Sequence, residues 1–121
     1  MVVLICGSRN FDDPAQIASR IEDLPIDTLV IHGGAKGADI IAGAYSESRG
    51  LPVKVFPAKW SSFGKRAGFV RNSAMLEQGQ PDLVIAFVRN PANSPGTANM
   101  VLQALCAGVE VEVHIAFNMG G

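Results

Sequence analysis

The chain has 121 residues, 48% of them hydrophobic and 17% charged, with a formal net charge of −1. That length supports one domain, residues 1–121, with a sizeable core, and so apolar a composition leaves surface for a second subunit to cover. The charge argues against a broad nucleic-acid-binding face, though not against a local basic pocket, and no apolar run is long enough to span a membrane.

Val2–Cys6 reads as a first strand rather than a signal peptide, because it lacks a basic leader and a cleavage pattern. Gly7-Ser8-Arg9 follows. Gly7 permits a tight turn, Ser8 can donate to a phosphate oxygen, and Arg9 can grip one bidentately; the alternative is an ordinary turn with a solvated arginine. Asp13 and Pro14 open a helix as N-cap and first residue, and Ile17, Ile21 and Leu24 form its apolar stripe. Thr28–Ile31 is a second strand, and Ala38–Arg49 a helix closed by Gly50.

Between these two elements lies His32-Gly33-Gly34-Ala35-Lys36-Gly37-Ala38-Asp39. Gly33, Gly34 and Gly37 offer backbone N–H donors at a helix N-terminus, where an anion is favoured. Lys36 adds a point charge or is solvated. Asp39, in the first helical turn, reads as a cap, or as an acceptor for ribose hydroxyls.

Val53–Phe56 is a third strand, stopped by Pro57. Trp60, the only tryptophan, falls in a loop, where it stacks on a base or closes a core edge. Lys65–Gln78 is helical, with Gly79 as the stop. Arg71 falls on its inner, apolar side, which calls for an anionic partner; Lys65 and Arg66 oppose the helix dipole unless an anion binds there. Leu83–Val88 is a fourth strand, and Arg89–Pro95 a Pro- and Asn-rich flap. Gly96 and Thr97 open a helix, Thr97–Ala107, that has no charged residue and reads as buried or as part of a subunit interface; they form a second anion cradle. Val109, Val111, Val113 and Ile115 alternate with polar residues as a half-exposed edge strand.

Five strands alternating with four helices give an α/β fold, a Rossmann-like, doubly wound parallel sheet with helices on both faces. In such sheets ligands bind beyond the carboxyl ends of the strands, where the strand order reverses, and the glycine turns converge there. Neither turn is a P-loop or a dinucleotide fingerprint, so no cofactor is expected. His32 and His114 are far apart and lack ligand spacing, so no metal site is expected. Cys6 and Cys106 lie in apolar runs and read as buried thiols of a reducing cytoplasm.

With these blocks in this order, the chain resembles the small single-domain branch of the SLOG superfamily. This Rossmann-like group includes DNA-processing protein A and the Lonely-guy phosphoribohydrolases, and its small branch occurs in bacteria and phages. The matching stretches are Gly7-Ser8-Arg9 with Phe11, His32–Ala35 with Gly37–Asp39, Phe56–Ala58 with Trp60, Ala67-Gly68 with Arg71-Asn72, Asp82–Phe87, and Gly96–Met100. The resemblance implies a nucleotide or nucleotide-derived ligand. One departure bears on chemistry. Lonely-guy enzymes carry a catalytic Glu after their Pro-Gly-Gly-x-Gly-Thr motif, where this chain has Asn99 and Met100.

Cleaving an N-glycosidic bond calls for a carboxylate beside an oxocarbenium-like centre. The first reading is therefore a cytoplasmic, homo-oligomeric module that binds a nucleotide-derived small molecule, as a sensor or sequestering protein. Its phosphate lies between Gly33–Gly37 and Gly96–Thr97, within reach of Arg71 and Arg9. The alternatives are a nucleotide N-glycosidase or phosphoribohydrolase, with Asp39 as a substitute carboxylate, and a single-stranded DNA binder. Net charge and a scarcity of exposed aromatics speak against the last.

Overall fold

A computed structural model describes residues 1–90 and 94–116. Five parallel strands, β1 (Val2–Gly7), β2 (Leu29–His32), β3 (Val53–Val55), β4 (Leu83–Val88) and β5 (Glu110–Ile115), lie in the order β3-β2-β1-β4-β5. The chain winds outward from β1 to β3, then crosses to β4 on the other side. The order therefore reverses between β1 and β4.

The central strands are apolar throughout because both of their faces are covered. Val3, Ile5, Val30, Ile85 and Phe87 face α1 (Pro14–Glu22) and α2 (Ala38–Ser48), packing on Ile17, Ile21, Ala38 and Ala42. Leu4, Cys6, Ile31, Val84 and Ala86 face α4 (Ala67–Gly79) and α5 (Pro95–Cys106), packing on Met75, Met100 and Ala104. The Asp13 side chain accepts from the Gln16 amide and Pro14 follows, so α1 starts as its sequence specifies.

Several expectations need correction. Trp60 does not lie in a loop; it opens a one-turn helix, α3 (Trp60–Phe63). A 3₁₀ turn, Gly64–Arg66, follows, so α4 begins at Ala67 rather than Lys65. Its left-handed cap is Gln80, since Gly79 is the last helical residue and packs against Ile31. The uncharged helix is buried on one side only. Thr97, Met100 and Ala104 turn inward at helical spacing, which leaves Leu102, Leu105 and Cys106 outward, so Cys106 is an exposed thiol. Of the flap, residues 91–93 lie outside the described residues. Among the described residues no helix is long and apolar enough to cross a membrane, and no group of three metal-ligating side chains forms.

Candidate functional site

A cleft of about 850 Å³ opens beyond the carboxyl ends of β1, β2 and β4, at the reversal of strand order. Gly7, Ser8 and Arg9 from the first turn line it, with Gly33, Gly34 and Asp39 from the second. Trp60, Arg71, Gly96 and Thr97 complete the expected set. Gly37 does not line the cleft. Its φ of 87° and its contact with the Ser8 and Arg9 carbonyls, 2.4 Å from where a β-carbon would stand, make it the turn that seats α2 against the first loop.

The glycine turn after β2 is not an open row of donors. One Asp39 carboxylate oxygen accepts from the amides of Gly33 at 3.0 Å and Ala35 at 3.3 Å. The Gly34 amide donates to Nδ1 of buried His32 at 2.9 Å, which places the imidazole proton on Nε2. Thus Asp39 caps the loop before its helix, not the helix's own first turn, and stands where an external anion was expected. Burial pushes the Asp39 carboxyl up to about 6, against the pull of the Ala35 amide, Arg71 and the Gly33 amide.

Ser8 is also committed. Its Oγ lies 2.7 Å from Ser94 Oγ and accepts from the Arg89 amide at 3.1 Å, while Ser94 donates to the Asn90 carbonyl. The pair ties the first turn to the start of α5.

Arg71 donates from Nη1 to the Gly33 carbonyl and from Nε to Asn72 Oδ1. Burial draws its guanidinium below the usual range, opposed by the charge of Asp39. Asn72 is the site residue the sequence reading passed over. It is buried, and its Nδ2 donates to the Gly96 carbonyl and to Asn99 Oδ1, joining α4 to the start of α5. The signal was there: Asn72 shares the inner face of α4 with Met75, a position where a polar side chain needs partners.

Four cations, Arg9, Lys36, Lys65 and Arg71, line the cleft against one carboxylate, Asp39. Residues 54–71 hold Lys54, Lys59, Lys65, Arg66 and Arg71 and no acid, a segregation that the net charge conceals. Trp60, Phe63 and Phe69 are exposed in this stretch, and Trp60 and Phe69 line the cleft. The expected scarcity of exposed aromatics is therefore wrong. Asn99 and Met100 are not among the cleft-lining residues: Asn99 Oδ1 accepts from Asn72 and Gln103, and Met100 is fully buried in the core.

A family model described as the YspA, cpYpsA-related SLOG family matches residues 1–63. The Gene 61 protein of Mycobacterium phage D29 is 35% identical over 118 residues, which cover 90% of this chain and 92% of that protein. The X-ray structure of DNA processing protein A from Streptococcus pneumoniae superposes with a TM-score of 0.72 at 16% identity, over 97% of this chain. This chain spans 51% of that one, so the likeness is one of fold. The chain belongs to the YspA, cpYpsA-related SLOG family.

Proposed function

We propose that this SLOG-family chain binds a nucleotide or nucleotide-derived small molecule in the cleft, without rapidly hydrolysing it, and serves as a sensor or sequestering module. The observation that carries this reading is the four-to-one excess of cations over carboxylates in a cleft with aromatic rings at its mouth. A phosphate sits at the start of α5, at Gly96 and Thr97, within reach of Arg71 and Arg9. Helix amides and guanidinium groups suit it there, and the Gly33–Ala35 amides are already engaged. The base lies toward Trp60.

Asn99 and Met100 support binding over cleavage, since neither supplies a carboxylate and neither lines the cleft. The hydrolase reading keeps one observation in its favour, the cleft-lining Asp39 with its raised pKa. Single-stranded DNA keeps another, the exposed rings among the cations of residues 54–71. The exposed apolar side of α5 supports a homo-oligomer.

Native mass spectrometry of freshly purified protein is expected to show a co-purified nucleotide-sized mass. AMP, GMP, CMP and UMP are then titrated calorimetrically and the mixtures assayed for free base. Saturable binding with no fast base release is the expected result. Fast release moves the hydrolase reading first, and binding of oligonucleotides alone moves the DNA reading first.

A further inference from the structure

We infer that a second copy of this chain pairs with β5 across a two-fold axis at Val113, antiparallel, joining two five-stranded sheets edge to edge. This deepens the homo-oligomer reading and does not depend on what the cleft binds.

β5 is an edge strand six residues long, whereas the opposite edge, β3, has three. The Ala116 amide donates to the Val88 carbonyl of β4. Backbone groups alternate direction along a strand, so Glu110, Glu112 and His114 also turn theirs toward β4. The N–H and C=O of Val111, Val113 and Ile115 therefore point outward, the arrangement that another strand edge can pair with.

The side chains choose the partner and the register. Glu112 lies on the α1 side, where Arg20 donates to both of its carboxylate oxygens, at 2.6 and 3.2 Å, and His114 Nε2 lies beside it. An axis at Val113 sets Val111 opposite Ile115, Val113 opposite itself, and Glu112 opposite His114. An axis at Glu112 or Val111 sets Glu112 opposite Glu112 or Glu110, and like charges directly opposite destabilise a strand pair. The Val113 axis also uses all three outward-facing residues on each strand. On the other face Val113 is 49% and Ile115 37% exposed, and α5, which packs there through Met100 and Ala104, leaves Leu102 62% and Leu105 58% exposed. Two-fold symmetry would cover that apolar strip with its own copy.

Light scattering after size exclusion at about 10–100 µM is expected to give a dimer mass for the wild type. Val113→Pro removes an outward N–H that β4 does not use, and Val113→Lys puts two ammonium groups face to face at the axis. Both are expected to give a monomer with unchanged circular dichroism. Amide exchange of the wild type covers the case where a variant does not fold: Val111, Val113 and Ile115 are expected to exchange at least tenfold more slowly at 100 µM than at high dilution. A wild-type monomer, a dimer that persists in both variants, or fast exchange of those three amides within a dimer each overturns the inference. None of these results touches nucleotide titration of the cleft, so failure here and failure of the ligand reading are separable.

Discussion

Arg71 donates from Nη1 to the Gly33 carbonyl at 2.7 Å, and a β-carbon on Gly33 would stand 2.1 Å from that nitrogen. The bare glycine is what lets the guanidinium pack directly against the second turn, where it lines the cleft. Gly33→Ala is expected to push the Arg71 head group aside. The displaced atoms are the far end of a flexible side chain, so the stability cost is small, below the ~1–3 kcal/mol of rigid overpacking. Affinity for a nucleoside monophosphate should fall roughly tenfold in calorimetry, the loss of one charge-assisted hydrogen bond. Unchanged affinity in a folded variant would mean that the fixed position of Arg71 is immaterial to binding.

Removing the guanidinium is the stronger test. Arg71→Ala is expected to weaken binding roughly tenfold to a hundredfold, since charge-assisted bonds contribute on the order of 1.5–3 kcal/mol. Arg71→Lys should restore only part, because a single ammonium nitrogen cannot reproduce the planar fork whose separate nitrogens reach the Gly33 carbonyl, Asn72 and a phosphate. If Arg71→Ala binds as tightly as wild type while folded, Arg71 serves only to join α4 to the second turn.

These two residues also show what the sequence made legible. Strands β1, β2 and β4 are continuous apolar runs because both their faces are buried, and β5 alternates because it stands at an edge. The inward placement of Arg71 follows from helical spacing alone. The internal claims on the site do not. That Asp39 would take the Gly33 and Ala35 amides depends on how a carboxylate folds back over its own turn. The Ser8–Ser94 bond joins residues 86 apart in sequence, which no local pattern announces. For α5, absence of charge alone leaves burial and a subunit interface both open, and it is the 97/100/104 spacing that limits burial within the chain to one side.

Asp39 makes stability depend on pH in a direction opposite to most carboxylates. Its folded pKa, pushed up to about 6 chiefly by burial, lies above the ordinary 3.8, so the folded protein holds this proton more tightly than the unfolded chain. Its contribution favours folding below about pH 4 and declines as pH rises through about 6, by on the order of 3 kcal/mol. Asp39→Asn keeps an oxygen acceptor for the Gly33 and Ala35 amides and removes the charge. Urea unfolding at pH 4, 5, 6 and 7 is expected to show stability falling less with pH in the variant than in wild type. Parallel pH profiles would mean that Asp39 ionises alike in both states.

Thr28, just before β2, is fully buried, and its hydroxyl is the one buried side-chain polar atom without a partner among the described residues. Leaving such a group unpaired carries a desolvation cost that an apolar side chain of the same shape avoids. Thr28→Val is expected to stabilise the fold by about 1 kcal/mol, seen as a higher urea midpoint at constant slope. A lower midpoint would indicate that the hydroxyl has a partner, such as an ordered water.

Trp60 offers a direct view of the cleft mouth, being the only tryptophan and 53% exposed. If a base stacks on its indole, water leaves one face of the ring and its emission changes saturably on titration with AMP. Stacking contributes on the order of 1–3 kcal/mol per base, so Trp60→Ala should weaken AMP binding roughly tenfold or more, with Trp60→Phe intermediate. Ribose 5-phosphate separates stacking from structure, because it carries the phosphate and the sugar but no base. Trp60→Ala should leave its affinity unchanged, and it should compete with AMP at the Arg71 end of the cleft. Equal losses for AMP and ribose 5-phosphate would make Trp60 a support for α3 and α4 instead, and would leave the base without its platform.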